Sequence, residues 1–109
     1  MTVTITRDDN LKIIELDGQL DVATSDKTRD EILSLIDGKP TIIAMEKLSY
    51  VSSSGLRSML MTAKTAKARN TKIVYAGAID EVIDVLQMTG FIKMLHCVPT
   101  VEDAIKELS

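Results

Sequence analysis

The chain has one cysteine, Cys97, so no intrachain disulfide can brace it. The opening Met1-Thr2-Val3-Thr4-Ile5 reads as a strand and carries none of the parts of a secretory signal, and with the lack of disulfides this leads to an expected cytoplasmic setting. The sole histidine, His96, sits beside that cysteine. Neighbouring strand positions point to opposite faces, which is poor geometry for shared metal ligation, so a structural pair at the end of a buried strand is expected and no metal site. Aromatics are scarce: Tyr50, Tyr75 and Phe91. No basic stripe is interleaved with them, and 13 basic against 16 acidic residues leave a net charge of −3, so the electrostatic footprint of a nucleic-acid binder is missing. No apolar run approaches the roughly 20 residues of a membrane span, and direct membrane insertion is not expected.

Enzyme signatures are missing too. The glycines, Gly18, Gly38, Gly55, Gly77 and Gly90, are well separated, and neither GxGxxG nor the GxxxxGKS/T phosphate loop occurs. A nucleophile elbow requires G-x-S-x-G, whereas the serine-rich segment reads Val51-Ser52-Ser53-Ser54-Gly55. Acidic pairs fall at a turn (Asp8-Asp9) and at a helix start (Asp80-Glu81), where solvation and the helix dipole account for them. No catalytic set assembles, and neither catalysis nor a cofactor is expected.

What the chain does have is regular alternation. Its 109 residues are 45% hydrophobic and 27% charged, which suits one compact domain spanning 1–109. Val3–Thr6 and Leu11–Leu16 read as a hairpin across Asp8-Asp9-Asn10, with Asp17-Gly18 ending the second strand. Thr24 or Ser25 can cap a helix whose stripe is Ile32, Leu33, Leu35 and Ile36, stopped by Asp37-Gly38-Lys39-Pro40. Thr41–Met45 reads as a buried strand. A second helix places Leu56, Met59, Leu60, Ala63 and Ala66 on one face and Arg57, Met61, Lys64 and Thr65 on another, ending near Ala68. Ile73–Ala76 is a strand; Ile79, Val82, Ile83 and Leu86 form a third helical stripe ended by Thr89-Gly90; Lys93–Val98 is a last strand. Thr100-Val101-Glu102-Asp103 resembles a capping box with Asp at its last position, opening a C-terminal helix through Leu108. The order β-β-α-β-α-β-α-β-α predicts an α/β fold on a mixed sheet: an N-terminal hairpin, then alternating helices and strands.

The chemistry-bearing stretch is Ser52-Ser53-Ser54 before Gly55, where a strand hands the chain to a helix N-terminus. A hydroxyl there can cap the helix, with Gly55 allowing a tight turn, or it can carry or contact a phosphate. Arg57 and Met61 share a helix face away from the core stripe; it is either an ordinary solvated face or a protein contact, since both residue types are favoured at interfaces. Asp21 is either the polar end of a strand or part of a partner surface. Met88 and Phe91 are expected in core or C-cap packing.

Leu48-Ser49-Tyr50-Val51-Ser52-Ser53-Ser54-Gly55-Leu56-Arg57 resembles the L-S-x-hydrophobic-D-S-S/T-G-L-x signature of the STAS-domain anti-sigma factor antagonists. Gly18-Gln19-Leu20-Asp21 resembles their G-E-L-D, and Leu86-Gln87-Met88-Thr89-Gly90-Phe91 is similar to their M-S/T-G-L/F, in the same order. The resemblance covers essentially the whole chain. It implies a STAS-like fold and a bacterial transcription regulator that works by partner switching. The unphosphorylated form would bind an anti-sigma factor serine kinase and so release a sigma factor. Phosphorylation on Ser53 would end that binding, and a serine phosphatase would reset it. Ser52 stands where the family usually has Asp, which makes it a competing phosphoacceptor. Asp21, Ser52, Ser54, Gly55, Arg57 and Met61 are the expected partner-binding residues of a monomer. The alternative is a non-switching STAS interaction subunit of a membrane transporter complex, with the same fold and a similar surface.

Overall fold

A computed structural model describes residues 1–7 and 10–109. The elements are β1 (Thr2–Arg7), β2 (Lys12–Leu20), α1 (Ser25–Leu35), β3 (Thr41–Val51), α2 (Ser53–Ala68), β4 (Ile73–Ala76), α3 (Asp80–Thr89), a 3-10 turn at Phe91–Lys93, β5 (Cys97–Val98) and α4 (Val101–Leu108). They form a five-stranded sheet in the order β1-β2-β3-β4-β5. β1 pairs antiparallel with β2, from Thr2 opposite Asp17 to Arg7 opposite Lys12, and every other pairing is parallel. This is the mixed α/β fold that the alternation predicts. Asp8 and Asp9 of the expected turn lie outside the described residues.

Strand alternation distributes the core over both faces of the sheet. Ile14, Ile43 and Tyr75 point to one side, where Ile32 of α1, Leu56 and Met59 of α2, and Val82 and Leu86 of α3 close over them. Their neighbours Ile42 and Val74 point to the other side, under Ala104, Val101 and Ile105 of α4. The central strands are therefore apolar on both faces, as strands covered on both sides must be. Thr100 Oγ1 accepts from the Asp103 N–H at 3.0 Å, so the expected cap of α4 forms.

Several boundaries differ from the sequence reading. β2 runs through Asp17-Gly18 to Leu20; Gly18 takes φ +127°, which lets the chain stay in the ladder where a side chain would be strained. β3 continues past Met45 to Val51 although Glu46 and Lys47 are exposed. Its pairing with β2 shifts register between Glu15 and Asp17 and again between Gly18 and Gln19, so the hydrophobic pattern breaks while the strand does not. Lys47 then reaches Glu15 at 3.2 Å across the pair. The last strand is only Cys97–Val98. The strand-like composition ahead of it is wound into the 3-10 turn, with Gly90 at φ +80° and the Met94 and Leu95 N–H groups bonded to the Phe91 carbonyl, because Phe91, Ile92 and Leu95 pack into the core. The start of α1 agrees with the expected cap, with Thr24 as N-cap residue and the helix beginning at Ser25, while the helix ends at Leu35 and leaves Ile36 of the expected stripe outside it.

Candidate functional site at the start of helix α2

The serine triplet lies where β3 ends against β2. Val51 is the last core residue of the strand. Ser52 leaves it in extended conformation, and its N–H donates to the Leu20 carbonyl at 2.9 Å. Its Oγ accepts from the Gly55 N–H at 3.1 Å, and its carbonyl accepts from the Leu56 N–H at 2.9 Å. Ser52 is thus the N-cap of α2. Ser and Asp are near-equal caps, so Ser52 performs at this position the structural task an Asp would perform.

Ser53 is the first residue of the helix and is exposed. Its hydroxyl has no hydrogen-bond partner among the described residues. The Arg57 guanidinium folds back along the helix and donates from Nε to the Ser53 carbonyl at 3.4 Å, which keeps a cation over this turn. Ser54 is half-buried and turns toward α1.

Gly55 has another purpose than the expected tight turn. It is buried within the helix, and a Cβ built on it would stand 2.5 Å from the Leu20 carbonyl oxygen and 3.0 Å from Val51 Cγ1. Only glycine lets the helix start press against the end of β2 this closely, and that contact sets where Ser52 and Ser53 stand.

Asp21 follows Leu20 in the same corner. Its carboxylate accepts from the N–H groups of Ala23 (3.0 Å) and Thr24 (3.2 Å), holding the turn into α1. Thr24 is the N-cap residue of α1, but its hydroxyl donates to the Gln19 carbonyl at 2.7 Å and caps nothing. Ser58 Oγ, donating to the Ser25 carbonyl at 2.9 Å, ties α2 to α1.

Between α1 and α2 lies a cleft of about 250 Å³ bordered by Asp26, Arg29, Ser54, Arg57 and Met61. The structure therefore brings Ser54, Arg57 and Met61 together on one exposed surface, with Ser53 at its end. Arg29, held 3.3 Å from both Asp26 and Asp30, belongs to this surface and was not anticipated. Nor were Tyr50 and Val22, which are 50% and 79% exposed near the strand ends that meet α2. Met61, 52% exposed, is a third large apolar side chain at the surface, of a type favoured at interfaces. Tyr50 lies beyond Met45, where the apolar run stops, and Val22 sits in no periodic segment, so no local pattern marks either as surface-forming.

Other expected placements are corrected. Met88 is 86% exposed, so it packs in neither core nor cap, whereas Phe91 does pack against the core. His96 is exposed and pairs through Nε2 with Glu107, so it is not the end of a buried strand. Cys97 is half-buried, and burial pushes its thiol up to about 11, which keeps it an unreactive neutral group. Among the described residues no His, Cys, Asp and Glu cluster could hold a metal ion, and no helix is long and apolar enough to cross a membrane.

The family model of the STAS domain matches residues 2–104, and the chain belongs to the STAS domain family. BtrV of Bordetella bronchiseptica, whose name classes it with the anti-sigma factor antagonists, is 25% identical over 96 residues, 86% of this chain and 83% of that protein. The crystal structure of an anti-sigma factor antagonist from Mycobacterium paratuberculosis matches with a TM-score of 0.86 at 19% identity, over 98% of this chain and 92% of that one. The murine Solute Carrier 26 family member A9 anion transporter matches with a TM-score of 0.80 at 19% identity, over 91% of this chain and 18% of the transporter. At such identities the structural likenesses define the fold, one shared by a free-standing antagonist and by a segment of a transporter.

Proposed function

We propose that this chain is an anti-sigma factor antagonist whose partner is an anti-sigma factor serine kinase, and that Ser53 is the switch. The observation that carries this reading is the division of labour at α2: Ser52 is spent on the cap, while Ser53, one residue on, is exposed and unengaged among the described residues. In this reading the chain is a binding protein that serves as the kinase's substrate, and a serine phosphatase returns it to the binding state.

The physics of the switch follows from the position. A phosphate on Ser53 adds roughly −1.5 to −2 charge. The first-turn N–H groups of Ser53 and Ser54 have no protein partners among the described residues, and Arg57 lies over the same turn. The fold therefore tolerates the modification. The partner does not: the charge lands on the exposed start of α2, one turn before Arg57, where docking would have to desolvate it. Switching by lost complementarity leaves both forms folded.

The test is incubation with candidate anti-sigma factor kinases and ATP, with phosphosite mapping by mass spectrometry and a binding titration. Phosphate on Ser53, with binding weakened by phosphorylation and by Ser53→Asp, is expected. Equal binding by wild type and Ser53→Asp refutes the switch. No phosphate on Ser52, Ser53 or Ser54 with any kinase transfers the reading to a non-switching subunit of a transporter complex.

A further inference from the structure

A broad groove lies at the opposite end of α2 from Ser53. Its volume is about 660 Å³, within the ~300–1,000 Å³ range of small-molecule sites. Its apolar surface comes from Leu60 and Ala63 of α2, Ile73 at the start of β4, and Met94 after the 3-10 turn. The first three pack onto the core beneath, while Met94 is 58% exposed and forms a movable wall. Lys64, Lys67 and Lys72 stand around it with His96, and no carboxylate of the described residues lines it.

The charges are unevenly compensated. Lys72 and His96 both face Glu107 of α4, at 3.8 Å in the case of Lys72. Lys64 and Lys67, one helical turn apart on α2, have no ion pair or hydrogen bond among the described residues. A protein of net charge −3 thus holds two uncompensated cations beside an apolar trough.

We infer that this groove binds a free single-chain anionic amphiphile, a fatty carboxylate, with its chain along Leu60, Ala63, Ile73 and Met94 and its headgroup on Lys64 and Lys67. The chain gains by leaving water for an apolar floor, and the headgroup gains charge-assisted hydrogen bonds. A nucleotide fits less well, because no Phe, Tyr or Trp among the described residues lines the groove and the His96 ring is paired with Glu107. A membrane surface fits less well, because the apolar area is concave.

Decanoate below its micellar concentration, titrated into the full-length chain and followed by amide chemical shifts, is the test. Saturable shifts confined to α2 from Leu60 onward, the start of β4 and the Met94–His96 segment are expected. Lys64→Glu/Lys67→Glu should weaken binding by roughly tenfold or more, and so should Met94→Glu, an exposed site where folding is not at risk. Absence of saturable shifts at these residues overturns the proposal. So does equal binding of decanoate by the charge-reversed variant, equal binding of a decyl ammonium cation by wild type, binding of ATP in preference to decanoate, or adsorption to anionic phospholipid vesicles without binding to free decanoate.

Discussion

Gly55→Ala is the substitution on which the geometry of the α2 start makes its sharpest demand. In an ordinary helix this change is favourable by roughly 0.5–1 kcal/mol, because alanine loses less backbone freedom on folding. Here the added methyl would lie 2.5 Å from the Leu20 carbonyl oxygen, against the 3.4–4 Å of ordinary contact, with Val51 Cγ1 and Leu20 Cγ at 3.0 and 3.1 Å. The obstacle is backbone, so it cannot rotate away. Helix and strand must part, which costs roughly 1–3 kcal/mol as overpacking. Parting them also stretches the 2.9 Å bond from the Ser52 N–H to the same Leu20 oxygen, worth about 1 kcal/mol. After the propensity gain, a net loss of about 1–3 kcal/mol is expected. For a domain near this size that lowers the melting temperature by roughly 5–15 °C. Thermal and urea melts followed by far-ultraviolet circular dichroism measure it. The sign decides: if Gly55→Ala melts at or above the wild-type temperature, the close approach does not constrain this corner and the glycine is there for another reason.

Four more outcomes are expected. Ser52→Ala should lose about 1 kcal/mol of stability through the missing cap, while Ser52→Asp should be nearly neutral in urea melts; both should still accept phosphate on Ser53, and loss of phosphorylation in both would reverse the assignment. Arg57→Ala and Met61→Ala should each change stability by less than about 0.5 kcal/mol, while at least one weakens kinase binding about tenfold by titration. Tyr75→Phe removes a buried hydroxyl that donates to the Met59 carbonyl at 2.7 Å, and should cost about 1–1.5 kcal/mol in urea melts. The hydrogen bond from the buried Lys12 ammonium, and next the Lys39 N–H, hold the Asp37 carboxyl below its usual 3.8. A depressed folded-state value contributes stability above the unfolded pKa and loses it as pH falls from there through the folded value, so urea midpoints should drop below about pH 4, less so in Asp37→Asn.

The parts of the fold that rest on local rules were legible in the sequence. The α2 start and its end at Ala68, the β4 limits and the Thr100 cap need only hydrophobic period and capping chemistry. The parts that rest on distant contacts were not. The second half of β3 is held by its pairing with β2, not by its own apolar pattern, so Tyr50 went unread as part of a strand and of a surface. Phe91–Leu95 has the composition of a strand but is wound up to deliver its large side chains to the core. At the site, the serine triplet and the Arg57–Met61 face were visible as helical spacing. Arg29 and Asp26 join that face only because Ser58 ties α1 against α2, a contact no local pattern announces.

The replacement of the family's usual Asp by Ser52 takes on a definite meaning once the cap is seen. An Asp at the N-cap would supply both a cap and a fixed negative charge beside the phosphoacceptor. Ser52 keeps the first and omits the second. The unphosphorylated corner therefore carries less negative charge, and the carboxylate of Asp21, which follows Leu20 in the same corner, is committed to the turn before α1. Under the proposed switch, phosphorylation of Ser53 would add its charge where no cap carboxylate stands, a larger relative change than it would produce beside an Asp. By electrostatics alone, Ser52→Asp should weaken binding of the unphosphorylated chain to a partner whose surface disfavours negative charge, and should narrow the gap between the two phosphorylation states. If Ser52→Asp instead binds the kinase more tightly while keeping the wild-type fold, the partner uses that charge as a contact, and repulsion at Ser53 is not how the switch works.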